Sequence, residues 1–390
     1  MLLLLYIYWL HYWSVQHSIK CCPSRDWRGY VCYNKFVNLR RNSSAFNLLI
    51  WVGILAVAVL LLFVSSYLYR HEIKKSNNGS TASLASPSVQ QSMSPAIPTH
   101  GAYLGAWINS PKVLNDYSDS NSNDLATHEL SELPDFERSI GNHKPTILSV
   151  YEIWGSAVPS VSMASIASAG AVPMIDLSCG SDSQVTNGTF DNYINTYANA
   201  MKSYGKPVFL RYAWEMNLRG SRTEVCQDNT KDYAGYVSSW QHIYSIFQKD
   251  GATNVAFVWC PSHLNDASQY YPGNQYVNWI GVDGYANDTT ATANNQTFSG
   301  VFNSFYQQWS GHNKPIIVGE TGAQPGNQSN YLAGMASSMA STYPNIKAVV
   351  YFDAGSDTGH TTWALQNSPG DAGLTEYGNL LHSNYFNVTD

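Results

Sequence analysis

The chain has 390 residues, enough for one large domain with accessory segments or for two small domains. Its charge is divided: residues 1–100 carry 9 Lys/Arg against 2 Asp/Glu, while residues 101–390 carry 12 against 25. So acidic a body excludes a nucleic-acid partner, which needs a basic face, and its 12 Trp and 27 Tyr suit a neutral ligand with apolar faces, such as a sugar.

The first 13 residues, MLLLLYIYWLHYW, are apolar but short, a second membrane contact or a mis-assigned start. From Asn42 to Tyr69 no residue is charged, and AFNLLIWVGILAVAVLLLFVSSYL is long enough to cross a bilayer as a helix. Lys20, Arg25, Arg28, Lys35, Arg40 and Arg41 precede it, against Arg70, Lys74 and Lys75 after it. That bias predicts a single-pass anchor with its N-terminus inside and the body extracytoplasmic. The run is too long for a signal-peptide core. The expected divisions are a basic and apolar cytoplasmic segment (1–44), a transmembrane helix (45–69), a flexible linker rich in Ser, Asn, Thr and Pro (70–100) and a folded body (101–390). Glycosylation sequons at Asn187, Asn287, Asn295, Asn327 and Asn387 agree with export.

After residue 100, short apolar runs alternate with stretches of helical spacing. Eight strands are predicted: 103–109, 146–154, 172–178, 207–215, 255–261, 279–285, 315–321 and 348–354. Helix-like segments such as TFDNYINTYANAMKSYG and YAGYVSSWQHIYSIFQKDG lie between them and end in Gly. Strand and helix alternating eight times predict an α/β fold, a (β/α)8 TIM barrel. An open doubly wound sheet would want a G-x-G-x-x-G loop after an early strand, and none is present. Of the body's cysteines, Cys179 and Cys226 would follow strands on one barrel face and are expected to pair, leaving Cys260 a buried thiol. No Cys or His spacing suits zinc, and neither metal nor cofactor is called for.

Barrel chemistry sits at the C-terminal strand ends. The polar residues there are Asn109, Glu152, Asp176, Glu215, Asn217, His263, Asp283, Tyr285, Glu320 and Asp353. Glu215 (RYAWEMN) ends strand 4 and Glu320 (IIVGETG) ends strand 7, nearly opposite across the mouth. Reaching inward, their carboxyls could stand about 5–5.5 Å apart, as in a retaining glycosidase. Trp214 and the facing carboxylate should raise the pKa of Glu215, while Tyr285 and Arg211 could keep Glu320 ionised. Asp176 is a candidate supporting residue, and His263 a candidate partner for a sugar hydroxyl. Trp107, Trp154, Trp259 and Trp363 lie at or past strand ends, where they either stack on sugar or pack the inner layer. Trp240 and Trp309 read as core.

The strand-4 Glu followed two residues on by Asn217, the strand-7 VGETG and the strand-6 NWIGVDGY together resemble clan A glycoside hydrolases, most closely family 26, over roughly residues 101–386. The resemblance implies Glu215 as acid/base, Glu320 as nucleophile and Tyr285 as a donor to the nucleophile. It implies Trp259 as a sugar-facing ring, and Asp353 and Trp363 as contacts at the cleavage point. Arg211, Trp214, Asn217 and His263 complete the expected substrate-binding set. The implied partner is a β-linked polysaccharide, with β-mannan the first candidate beside mixed-linkage glucan and β-1,3-xylan. Trp214 stands where the family commonly has His, a departure that bears on mannan specificity. A surface transglycosylase using the same two glutamates, and a carbohydrate-binding membrane protein without turnover, are the alternatives.

Overall fold

The computed structural model describes residues 94–108, 129–218, 232–286, 297–354 and 363–388. The expected membrane span, the linker as far as Met93, Asn109 and Cys226 lie outside them. Among the described residues no helix is long and apolar enough to cross a membrane.

Eight strands close into one parallel barrel in sequence order: β1 (Tyr103–Ile108), β2 (Ile147–Glu152), β3 (Val172–Leu177), β4 (Val208–Tyr212), β5 (Val255–Trp259), β6 (Trp279–Ala286), β7 (Ile316–Ala323) and β8 (Ile346–Asp353). The ring is sealed where β1 pairs with β8, from Tyr103 opposite Ala348 to Ile108 opposite Asp353. Between the strands run α1 (Leu133–Ser139), α2 (Ser160–Ala169), α3 (Asp182–Thr186), α4 (Asp191–Tyr204), α5 (Tyr233–Asp250), α6 (Phe298–Trp309) and α7 (Gln328–Ser341), with α8 (Ala372–His382) after β8.

Strands buried on both faces explain their unbroken apolar runs. Alternate residues point inward, and Tyr103, Ile147, Met174, Phe209, Val258, Trp279 and Ile317 fill the lower barrel as one cluster. Phe209 meets Trp279 edge-on there, ring centroids 5.2 Å apart. A larger cluster packs the outer strand faces against the helices and contains both Trp240 and Trp309, as expected. Burying a ring such as Phe209 or Phe257 contributes about 1.5–3 kcal/mol. The two long predicted helices form as α4 and α5, and each stops at a glycine in the left-handed conformation, Gly205 or Gly251.

Strand 4 differs from its expected span. It ends at Tyr212, three residues early, and the chain kinks: Ala213 and Glu215 both adopt φ of 51°. Two borrowed hydrogen bonds hold this turn, from Ala213 N to the Leu177 carbonyl and from Glu215 N to the Cys260 carbonyl, each 2.8 Å. A left-handed residue with a side chain costs about 1–2 kcal/mol. Such strain persists where the surroundings over-determine it, typically at functional sites.

Candidate active site

Glu320 sits inside the mouth, with three donors converging on its carboxylate. Tyr151 Oη donates to Oε1 at 2.5 Å and Arg211 Nη2 to the same oxygen at 2.7 Å. Tyr285 Oη donates to Oε2. The donors come from β2, β4 and β6, alternate strands whose inward residues share one level of the barrel. Burial alone would raise the pKa of Glu320. The charge of Arg211 and the hydrogen bonds from Tyr151, Tyr285 and Arg211 outweigh it and hold the carboxyl below its ordinary value.

The guanidinium of Arg211 is fully buried and meets three carboxylates: Asp176 at 2.5 Å through Nε, Asp283 at 2.7 Å through Nη1, and Glu320. Three carboxylates around one cation cannot all be ionised cheaply in a dry interior. Burial pushes Asp176 up to about 6 despite Arg211. Burial also raises Asp283 well above its ordinary value against the charge of Arg211, and the charges of Glu320 and Glu215 add to the rise. The arrangement therefore favours the ionised form of Glu320 over those of Asp176 and Asp283. Ser149 donates to Asp176, and the Cys260 thiol donates to Asp283 at 3.1 Å.

This layer explains the glycine of the VGE motif. A Cβ on Gly319 would stand 2.7 Å from Asp283 Oδ1 and 2.8 Å from Cys260 Sγ. The pairing of β7 with β8 is also irregular between Val318 and Thr321, the kind of local break that re-aims a side chain. Gly319→Ala should therefore disorder the carboxylate layer, lowering stability by about 1–3 kcal/mol and activity with it. Thermal melting and rate measurements check this, and a fully active variant of wild-type stability would contradict the packing.

Glu215 is buried beside Trp214 at the kink after β4. Its charge and that of Glu320 both act on Asp283 and on Tyr285, so the two carboxyls share neighbours at the mouth. Trp214 meets Tyr151 edge-on at 5.0 Å and lies 5.5 Å from the guanidinium carbon of Arg211. A barrel mouth with two glutamates, one held ionised, is the arrangement on which the resemblance to known proteins bears.

The sequence profile of Glycosyl hydrolase family 26 matches residues 160–313. Over that segment the barrel is similar to glycosyl hydrolase family 26. The matched segment contains Arg211, Glu215 and Tyr285 and stops before Glu320. Endoglucanase H of Acetivibrio thermocellus is 32% identical over 200 residues, 47% of this chain and 21% of that protein. Beta-1,3-xylanase TXYA of a Vibrio species is 26% identical over 155 residues, 37% of this chain and 30% of the xylanase. The chain thus spans under a third of the length of these relatives. The Bacillus subtilis mannanase BCman superposes with a TM-score of 0.50 at 18% identity, covering 71% of this chain and 85% of the mannanase. The Bacteroides ovatus β-mannanase BoMan26A also gives 0.50, at 15% identity, covering 74% and 90%. At these identities the structural likeness bears on the fold.

Within the barrel, Tyr285 donates to Glu320. Trp363 is half-buried and stacks on Tyr285, centroids 4.8 Å apart and planes 25° apart. Five of the residues expected to contact substrate have protein partners. Arg211 is sealed beneath the mouth, its guanidinium taken up by carboxylates. Trp259 is fully buried, donates to the Tyr270 carbonyl and packs on Trp309, so it is core. Asn217 spends its amide on the backbone of Ser262 and Asn265, tying the turn after β4 to the one after β5. Asp353 accepts from Leu365 N and Gln366 Nε2, stapling the segment after β8, and its burial pushes it up to about 6. His263 packs beside Gly284, where a Cβ would also meet Val301 and Phe302 of α6, on the outer face of β6.

Trp154 likewise packs outside the barrel, against Phe190, Tyr193 and Tyr212. Trp107 is buried at the mouth, stacked on Phe352 at 4.3 Å. Cys260 is a buried free thiol, as expected, and Cys179 is disulfide-bonded. Tyr151 and Glu129 were not foreseen. The parity of β2, with Ser149 inward, would have selected Tyr151 over Glu152. Glu129 lies outside any strand and had no such signal.

Proposed function

We propose that the barrel is a family 26 retaining endo-β-glycanase, with Glu320 as nucleophile and Glu215 as acid/base. The observation that carries this reading is the Glu320 carboxylate, buried at the barrel mouth yet held ionised by Arg211, Tyr151 and Tyr285. Glu320 attacks the anomeric carbon while Glu215 gives its proton to the departing glycosidic oxygen. A covalent glycosyl ester forms, and the charge on Glu320 disappears. Glu215 then takes a proton from water, the water attacks the anomeric carbon, and Glu320 leaves it as a carboxylate. Trp363, stacked beside Tyr285, offers an aromatic platform next to the reacting sugar.

The substrate is a β-linked polysaccharide. β-Mannan is the first to test, with mixed-linkage β-glucan and β-1,3-xylan beside it. The sequence relatives, named as an endoglucanase and a β-1,3-xylanase, and Trp214 in place of the family's common His, make the latter two necessary comparisons. We also propose that residues 45–69 anchor the chain with the barrel extracytoplasmic, on the strength of the uncharged run and its basic flank.

Glu215→Ala should slow poor leaving groups by about 10²–10⁴-fold and leave activated aryl leaving groups nearly untouched in the first step. Paired rates on aryl glycosides of differing leaving-group pKa, after a screen of the three polysaccharides, measure this. Equal losses on all leaving groups would remove Glu215 from the acid role.

A further inference from the structure

Glu129 lies between β1 and α1, buried at 1% exposure, and the chemistry above does not use it. Its two carboxyl oxygens each have one donor. Trp107 Nε1 donates to Oε1 at 2.8 Å, and the backbone N–H of Tyr151 donates to Oε2 at 2.9 Å. The Trp107 ring in turn meets the Tyr151 ring edge-on at 5.3 Å. Tyr151 is the residue whose hydroxyl donates to Glu320 and receives Arg211 Nη2 at 3.0 Å. One carboxylate thus holds the backbone of Tyr151 and a ring packed on its side chain.

Among the described residues Glu129 forms no ion pair. Burial raises its pKa well above the ordinary value, against the hydrogen bonds from Trp107 and Tyr151, and the charges of Asp176 and Glu152 add to the rise. A buried acid without a cation is costly. A glutamine there would satisfy one donor and turn its own N–H₂ toward the other. The need that only a two-acceptor group meets is to hold Trp107 and Tyr151 together.

We propose that Glu129 is a positioning residue for the nucleophile, acting through Tyr151 to keep the Tyr151 hydroxyl on Glu320. This rests on Glu320 being the nucleophile. The groups facing Glu320 are the donors Tyr151, Arg211 and Tyr285 and the acids Asp283 and Asp176, with Glu215 acting on Asp283 in turn. If Tyr151 moves, Glu320 loses a donor while the acids remain. Its ionisation then shifts to higher pH, and the acidic limb of the rate profile follows.

The test is the pH dependence of kcat and KM on an activated aryl β-oligosaccharide for wild type, Glu129→Gln, Tyr151→Phe and the double variant. Glu129→Gln should lower kcat about ten-fold, the worth of one hydrogen bond to a charged group, leave KM nearly unchanged and move the acidic limb upward. The double variant should be no slower than Tyr151→Phe alone, since both act on one contact. A folded Glu129→Gln with wild-type rate and pH profile, or losses that multiply in the double variant, would overturn the proposal. If Glu129→Gln fails to fold, Trp107→Phe added to it removes the unmatched donor. A pair that still does not fold places Glu129 in the fold and also overturns it. Absence of Glu320-dependent turnover in the wild type itself would instead sink the nucleophile assignment, and this proposal with it.

Discussion

Glu320→Ala should leave a folded barrel that has lost turnover of polysaccharide by roughly 10⁴-fold or more, the scale seen when a residue that acts as part of a catalytic unit is removed. The barrel survives because Arg211 keeps Asp176 and Asp283 as partners. Two tyrosine hydroxyls lose an acceptor, at a cost of about 1–3 kcal/mol each if left unmatched. Relief of the charge that Glu320 places on Asp283 offsets part of this. Azide should restore turnover of an activated aryl glycoside by entering the space of the missing carboxylate, and the product should be the α-glycosyl azide. Melting temperature, rate and product anomer together make the measurement. Wild-type turnover by the variant, or a β-azide product, would remove Glu320 from the nucleophile role.

Arg211→Met should be the most destabilising single change in the barrel, by about 3–5 kcal/mol, because removing one partner of a buried ion pair leaves its counter-charges uncompensated. Here three carboxylates are left, Asp176, Asp283 and Glu320, gathered at the mouth without a cation. The loss should depend on pH in a definite direction. Without Arg211 the folded-state pKa values of all three rise, those of Asp176 and Asp283 further above their unfolded values and that of Glu320 from below its own. Groups raised on folding contribute stability at low pH and lose it as pH climbs through the folded value. The deficit relative to wild type should therefore be smallest in mild acid and grow toward neutral and alkaline pH. Denaturant unfolding of both proteins across that range gives the comparison, and a deficit that grows on acidification would contradict the network. Activity should fall as well, since Glu320 then retains a proton at neutral pH.

Much of the barrel was readable along the chain. All eight strands were expected where they occur, because strands buried on both faces become apolar runs and the intervening helices carry a 3.6-residue pattern. Their ends were less exact. The span 207–215 ran as one strand on paper, but it bends after Tyr212 because Ala213 and Glu215 take left-handed backbone. Nothing in RYAWEMN signals that turn, since no glycine is present and the holding carbonyls belong to Leu177 at the end of β3 and Cys260 just after β5.

The same division runs through the site. Glu215, Glu320 and Tyr285 were visible as types at strand ends, and the barrel brings them to one mouth. Whether Trp259, Asn217, His263 and Asp353 face a ligand or the protein was not visible. In each case a contact from a distant segment decides it: Tyr270 for Trp259, Asn265 for Asn217, Phe302 for His263 and Leu365 for Asp353. Arg211 was expected beside Glu320, but its burial under three carboxylates depends on Asp176 and Asp283, which converge only when the ring closes.

What the order of residues determined alone is the periodicity that makes eight strands and the long helices α4 and α5, and the acidic residues at the strand ends, because these follow from local spacing. What tertiary structure decided is protonation and access. One cation shared among three acids lowers the pKa of Glu320 while Asp176 and Asp283 stay raised, and hydrogen bonds between distant segments set which polar groups are left at the mouth. Both depend on distances across the closed ring rather than on neighbours along the chain.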